Sequence, residues 1–158
     1  MKQLKDILLG VPLQTVSGNT AVQIRGVAFD SRSVTQQSLF VAIKGTHHDG
    51  HAHINDAVDK GAVAVLCEQF PDVLIDKVVY ISCENTRQAL ATVASQWHDT
   101  PSKALKLIGI TGTNGKTSVA TMAYQLFDKM GFATGLLSTV EVRIIKKIVP
   151  STHTTQTP

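Results

Sequence analysis

The sequence predicts an α/β fold in two parts: a small mixed α/β module over residues 1–100, then, over residues 101–158, the opening of a second domain built on a parallel sheet. Three observations predict it. Short β-branched runs alternate with segments whose apolar residues recur at helical spacing. A polar stretch, Asp99-Thr100-Pro101-Ser102-Lys103, separates two differently organised halves. Beyond it, a strand, a glycine-rich turn and an amphipathic helix follow in direct succession.

Taken in order, Leu4, Ile7 and Leu8 mark a short helix closed by Gly10 and Pro12, and a strand-like stretch follows. Val22–Phe29 and Leu39–Ile43 are rich in β-branched and aromatic residues and read as strands, with Asp30-Ser31-Arg32-Ser33 as a polar link. Ile54, Ala57 and Val58 set a helix over His53–Lys60, Gly61 stops it, and Ala62–Leu66 reads as a buried strand. Lys77–Ile81 makes another strand. Leu90, Val93, Ala94 and Trp97 then mark one face of a helix ending near His98, so Trp97 reads as core rather than as a base-stacking platform. Pro101 disfavours helix at the residue before it and places the boundary. In the second part, Leu105–Ile110 reads as a buried strand. Val119, Met122, Ala123, Leu126, Phe127 and Met130 form a helical stripe ending at Gly131, and Phe132–Thr139 supplies the next strand. A βαβ unit of this kind lies in a parallel sheet covered on both faces. After Thr139 the pattern is a hairpin and a tail ending at Pro158, so Leu105–Ile110 and Phe132–Leu137 are expected to be poorly buried.

With 158 residues, 43% hydrophobic and 17% charged, the chain is too apolar for a disordered segment and too long to depend on staples. Its 15 basic and 12 acidic residues leave a net charge of +3, and the basic ones are scattered, so nothing demands a nucleic-acid partner. Cys67 and Cys83 show no CxxC pairing and each ends an apolar run, which reads as two reduced thiols in a reducing compartment. The N-terminus lacks the apolar core of a signal peptide and no stretch is long enough to span a membrane, so the expected location is the cytoplasm. The run from His47 to His53 brings imidazoles and a carboxylate close together and invites a metal site. No second ligand group is evident, however, and Asp49-Gly50 reads more simply as a turn opening the next helix.

The strongest chemical signal is Gly109-Ile110-Thr111-Gly112-Thr113-Asn114-Gly115-Lys116-Thr117-Ser118, between an expected strand and an expected helix. Glycines let successive backbone N–H groups turn toward phosphate oxygens, and the helix N-terminus adds partial positive charge. Lys116 can reach the β and γ phosphates, and the Thr117 hydroxyl can hold Mg²⁺. The strict GxxxxGK[ST] pattern would need glycine at position 110, where this chain has isoleucine, so the loop is a variant.

The run Thr111-Gly112-Thr113-Asn114-Gly115-Lys116-Thr117 resembles the ATP loop of the Mur ligases, the ATP-dependent amide-forming enzymes of peptidoglycan precursor synthesis. The N-terminal half is similar to the same family on separate residues: Phe29-Asp30-Ser31-Arg32, Ser38-Leu39-Phe40-Val41-Ala42, Gly45, Asp49-Gly50-His51, Ala57, Gly61-Ala62 and Glu68. Leu137-Ser138-Thr139 and Thr152-His153-Thr154-Thr155 resemble the MurE branch, which adds the third residue of the stem peptide. The resemblance covers nearly the whole chain. It implies a UDP-binding domain over residues 1–100 and the first part of a central ATPase domain over residues 101–158. Phe29 and Ser31 would lie against uridine, and Thr46, His47 and His48 would approach the UDP part. Thr154 and Thr155 would contact the muramoyl-peptide end, and Gly112, Thr113, Asn114, Gly115, Lys116, Thr117 and Ser118 would hold ATP.

The implied reaction is activation of the D-glutamate carboxylate of UDP-N-acetylmuramoyl-L-alanyl-D-glutamate by ATP to an acyl phosphate, which the amine of diaminopimelate or lysine then displaces. Lys116, the loop amides and Mg²⁺ on Thr117 would stabilise the transferring phosphoryl group. The resemblance places the family's carboxylated lysine, its further metal ligands and its amino-acid selector downstream of Pro158. Gln36-Gln37-Ser38 replaces the family's usual Pro-Gly-Asp turn, His53 stands where an aromatic residue is common, and Gln156-Thr157-Pro158 replaces the usual Pro-Asp. Ile145-Lys146-Lys147 lacks the Gly or Asn of a tight hairpin. The other readings are the MurF branch, another P-loop ATPase, or a uridine-nucleotide-binding module without catalysis.

Overall fold

The structure, a computed structural model, describes residues 1–45, 49–145 and 147–150. By its internal contacts the chain divides into two units, the first Met1–Leu105 and the second beginning at Lys106.

The first unit carries β1 (Lys2–Gln3), α1 (Leu4–Ile7), β2 (Leu13–Ser17), β3 (Gln23–Ile24), β4 (Gly26–Ala28), β5 (Ser38–Val41), α2 (Ile54–Asp59), β6 (Ala62–Cys67), β7 (Val79–Cys83) and α3 (Thr86–Trp97). Five of these strands form one sheet in the order β2-β7-β6-β5-β4. Strands β4 to β7 are parallel, and β2 runs antiparallel on the β7 edge. The side chains of its buried strands alternate with period two between two apolar clusters. Leu39, Val41, Ala64, Leu66, Val79, Ile81 and Cys83 face α1 and α3, where they meet Leu4, Ile7, Ala89, Leu90 and Val93. Phe40, Ala42, Val65, Cys67 and Tyr80 face the other way, onto Ile54 and Ala57 of α2. A parallel sheet needs both faces covered, and this one has both. Trp97 packs half-buried on the first cluster, in keeping with its place in the α3 stripe.

Local signals set the helix ends. The Asn85 carboxamide accepts the N–H groups of Arg87 at 3.0 Å and Gln88 at 3.1 Å and caps α3. Gly61, at φ +106°, stops α2 with its N–H on Val58 O at 2.9 Å. Cys67 and Cys83 are free thiols that sit in the two different clusters, on opposite faces of the sheet.

The second unit differs from the sequence reading. Lys106–Ile110 forms no helix or strand and pairs with no strand among the described residues, and Leu105, Leu107 and Ile108 are 62, 73 and 65% exposed. An apolar run becomes a buried strand only when ladder partners and a covering face exist, and the described residues supply neither. α4 (Lys116–Lys129) leads to β8 (Gly135–Leu137), β9 (Glu141–Ile144) and β10 (Lys147–Pro150), an antiparallel sheet in the order β10-β9-β8. The expected strand Phe132–Thr139 therefore shrinks to three residues paired antiparallel with β9. Phe132 and Leu137 are exposed as expected, whereas Leu136 is buried. The hairpin after β9 turns at Ile145, which takes φ +55° without a glycine.

One further expectation changes. Val22–Phe29 is not one strand, because β3 pairs with β1 while β4 joins the large sheet. The antiparallel edge strand β2 is the element that the apolar pattern did not delimit.

Candidate functional site

The glycine-rich loop Gly112–Ser118 is built by two glycines and a helix start. Gly112 holds φ +147° and Gly115 φ +78°, conformations that side-chain-bearing residues rarely adopt, and no atom crowds the Cβ position at Gly115. Gly115 is the residue from which α4 begins, and the first helical bond runs from Val119 N–H to Gly115 O at 2.9 Å. The N–H groups of Lys116, Thr117 and Ser118 therefore have no acceptor among the described residues. The positive end of the α4 dipole stands behind them, an arrangement suited to an anion. Lys116 Nζ folds back to donate to Gly112 O and, at 3.3 Å, to Thr113 O, so its ammonium lies across the loop. The Thr117 hydroxyl is 3.3 Å from that of Thr139, which follows β8. Gly112 to Ser118 are exposed apart from half-buried Thr117. A phosphate chain can reach them directly.

The carboxyl ends of the parallel strands define a second locus, since ligands of open α/β sheets bind outside those ends. Phe29 follows β4 and is 59% exposed. Ser31 opens the short 3-10 turn Ser31–Ser33, and the Asp30 carboxylate accepts the Arg32 N–H at 2.9 Å and its Nη2 at 2.7 Å. That guanidinium and backbone N–H hold the Asp30 carboxyl down at about 2. Lys60 Nζ donates to Ser31 O at 2.9 Å, tying the turn to the end of α2. After β5, the loop returns through Asp49, which accepts the His51 N–H at 2.9 Å and meets its ring Nδ1 at 2.6 Å. Both contacts hold the Asp49 carboxyl below its ordinary range, the backbone one more strongly. This is the turn that Asp49-Gly50 suggested, a 3-10 turn Gly50–His53 running into α2. Among the described residues no group of three or more His, Cys, Asp or Glu could hold a metal ion.

The structure thus brings Gly112 to Ser118 together as one loop of the second unit, and places Phe29 and Ser31 on one edge of the first. Thr46, His47, His48, Lys146, Thr154 and Thr155 lie outside the described residues. Sequence reasoning did not anticipate the Thr117–Thr139 contact or the partners of His51. The only signals were the Leu137-Ser138-Thr139 and Asp49-Gly50-His51 runs themselves. Among the described residues no helix is long and apolar enough to cross a membrane.

Comparison with known proteins agrees with this division. Residues 23–98 match the family model "Mur ligase family, catalytic domain", and residues 110–158 match "Mur ligase middle domain". The UDP-N-acetylmuramoyl-L-alanyl-D-glutamate--2,6-diaminopimelate ligase of Cytophaga hutchinsonii is 47% identical over 97% of this chain and 32% of its own length. The ligase of the same name from Parabacteroides distasonis is 44% identical over 99% of this chain and 32% of its own. The chain spans about a third of the length of the curated relatives it matches. Among solved structures, one of a ligase of that name overlays 98% of this chain and 31% of its own with a TM-score of 0.72, at 22% identity, a likeness of fold. The MurF ligase of Thermotoga maritima in complex with ADP overlays 66% of this chain and 23% of its own, with a TM-score of 0.53 and 30% identity. Two models of one family, matched in order along the chain, and relatives similar over nearly its whole length place it: the chain belongs to the Mur ligase family.

Proposed function

We propose that the chain is the N-terminal part of a MurE-type ligase. It holds UDP-N-acetylmuramoyl-L-alanyl-D-glutamate on the carboxyl edge of its first unit and ATP on the loop of its second. The ligase joins a third amino acid to the D-glutamate carboxylate through an acyl phosphate, in the cytoplasm. The observation that carries this reading is the loop at Gly112–Ser118, whose Lys116, Thr117 and Ser118 N–H groups have no acceptor among the described residues and across which Lys116 lies, in a chain so similar to the Cytophaga hutchinsonii ligase. The names of the relatives favour diaminopimelate over lysine as the added residue.

In this reading the backbone N–H groups of Lys116, Thr117 and Ser118 bind phosphate oxygens. Lys116 exchanges its contacts with Gly112 O and Thr113 O for the β and γ phosphates. Mg²⁺ fits the hydroxyl of Thr117, an oxygen donor of the kind that ion prefers, and when bound it supplies charge neutralisation on the phosphates. Phe29 gives uracil an exposed aromatic face and Ser31 a hydroxyl beside it, while Thr46, His47 and His48 serve the UDP part. Thr154 and Thr155 contact the peptide end.

Calorimetric titration of the precursor, with UDP alone as comparison, tests the reading. Tighter binding of the precursor than of UDP supports it. Equal binding reduces the first unit to a uridine-nucleotide module, and no binding of either by a folded chain overturns it.

A further inference from the structure

The loop between β5 and α2 closes through a narrow stem. Gly50 N–H donates to Ile43 O at 2.8 Å, and Lys44 and Asp49 pair as an antiparallel bridge. A Cβ on Gly50 would stand 2.7 Å from Ile43 N, so the stem closes only around glycine. Immediately past it, the His51 ring is 18% exposed and makes two directed contacts. Nε2 accepts the Glu68 N–H at 2.9 Å, and Nδ1 lies 2.6 Å from Asp49 Oδ1. An accepting Nε2 leaves the proton of the neutral ring on Nδ1, which donates it to the Asp49 carboxylate. Glu68 Oε1 in turn accepts the Thr86 N–H at 3.2 Å and the Thr86 hydroxyl at 3.1 Å. One line of hydrogen bonds therefore runs from the loop stem, across the end of β6, to the first turn of α3. It lies along the sheet edge that carries Phe29 and Ser31.

We propose that His51 is a positioning residue for the uridine-nucleotide edge, its ring locking the stem formed by Ile43, Lys44, Asp49 and Gly50 to the end of β6 on the side of the sheet that carries Phe29 and Ser31. The role rests on the reading of this edge as the precursor's site. Three variants separate its two contacts. His51→Gln carries an oxygen at the ε position and can still accept the Glu68 N–H. His51→Asn reaches only the δ position, and His51→Ala makes neither contact.

Titration with UDP, alongside hydrogen exchange at the Glu68 amide, tests the proposal on the full 158-residue chain. His51→Ala and His51→Asn are expected to weaken UDP binding about tenfold and to expose the Glu68 amide, with His51→Gln restoring both. A purely structural role would lower the unfolding midpoint in all three while leaving UDP affinity unchanged, and that result overturns the proposal. So does a Gln variant as weak as Ala. A folded wild-type chain that takes up no UDP overturns the reading of the edge and the ligand role of His51 with it. Uptake by the wild type that is unchanged in His51→Ala overturns the role of His51 alone.

Discussion

In the first unit the buried strands divide their side chains between two apolar clusters, each closed by helices, whereas in the second Val119, Met122, Leu126 and Met130 stay 52 to 68% exposed on α4. The same periodicity argument predicts both stripes, so the pattern states which face is apolar and not what covers it. The first unit contains its own cover, because α1, α2 and α3 all fall within its residues. In the second, the Gly112–Ser118 loop takes shape beside an uncovered apolar stripe. Its geometry comes from two left-handed glycines and the start of one helix, all within Gly112–Ser118.

The contrast is sharpest in matched truncations. Phe40→Ala, at a side chain 1% exposed between β5 and α2, is expected to cost about 3–5 kcal/mol in urea unfolding. Met122→Ser, at a side chain 68% exposed, is expected to change stability by less than about 0.5 kcal/mol. Similar costs at the two sites would erase the distinction between the units.

A smaller effect comes from the thiols. Burial pushes Cys67 up to about 12 and raises Cys83 as well. Below the ordinary thiol value of 9.0 both are protonated, folded or unfolded, and contribute no pH dependence. Between there and about 12 the unfolded chain ionises Cys67 while the folded one does not, so stability falls as pH rises. Urea midpoints on either side of the thiol range, compared with Cys67→Ala, should isolate that fall. Reaction of native thiols with Ellman's reagent before unfolding would contradict it.

The smallest expected effect is a gain. Gln37 holds φ +63°, and it stands in the turn where the resembled family has Pro-Gly-Asp. Its backbone is tied down on both sides, with its N–H on Gly61 O and its carbonyl accepting the Arg25 N–H, each at 2.8 Å. Gln37→Gly relieves the left-handed strain but frees the unfolded chain, for a net gain of about 0.5 kcal/mol in thermal unfolding.

Much of the first unit was legible in the sequence, since β5, β6 and β7 are continuous apolar runs and α2 and α3 carry stops or caps at Gly61 and Asn85. The edge strand β2 was legible only as a strand-like stretch without bounds, because its residues are exposed on both sides and leave no alternation to read. Leu105–Ile110 misled because a buried strand and an uncovered apolar segment have the same composition. The glycine turn and helix start at Gly112–Ser118 were legible because their residues are contiguous. The His51 lock was not, because its acceptor position faces a backbone N–H seventeen residues away, which only the fold brings near.

Hydrogen exchange by mass spectrometry, with UDP and Mg²⁺-ADP added separately, tests the central claim, the proposed pairing of a ligand edge on a sheet covered on both faces with a phosphate-binding loop beside an uncovered stripe. Without ligand, the slowest amides should be those of β5, β6, β7 and α3, with Lys106–Ile145 exchanging much faster. Mg²⁺-ADP should slow exchange at Gly112–Ser118, and UDP should slow it around Ser31 and the stem at Ile43–His51. Equally slow exchange across both units, or no response of the Gly112–Ser118 amides to Mg²⁺-ADP, would contradict the account.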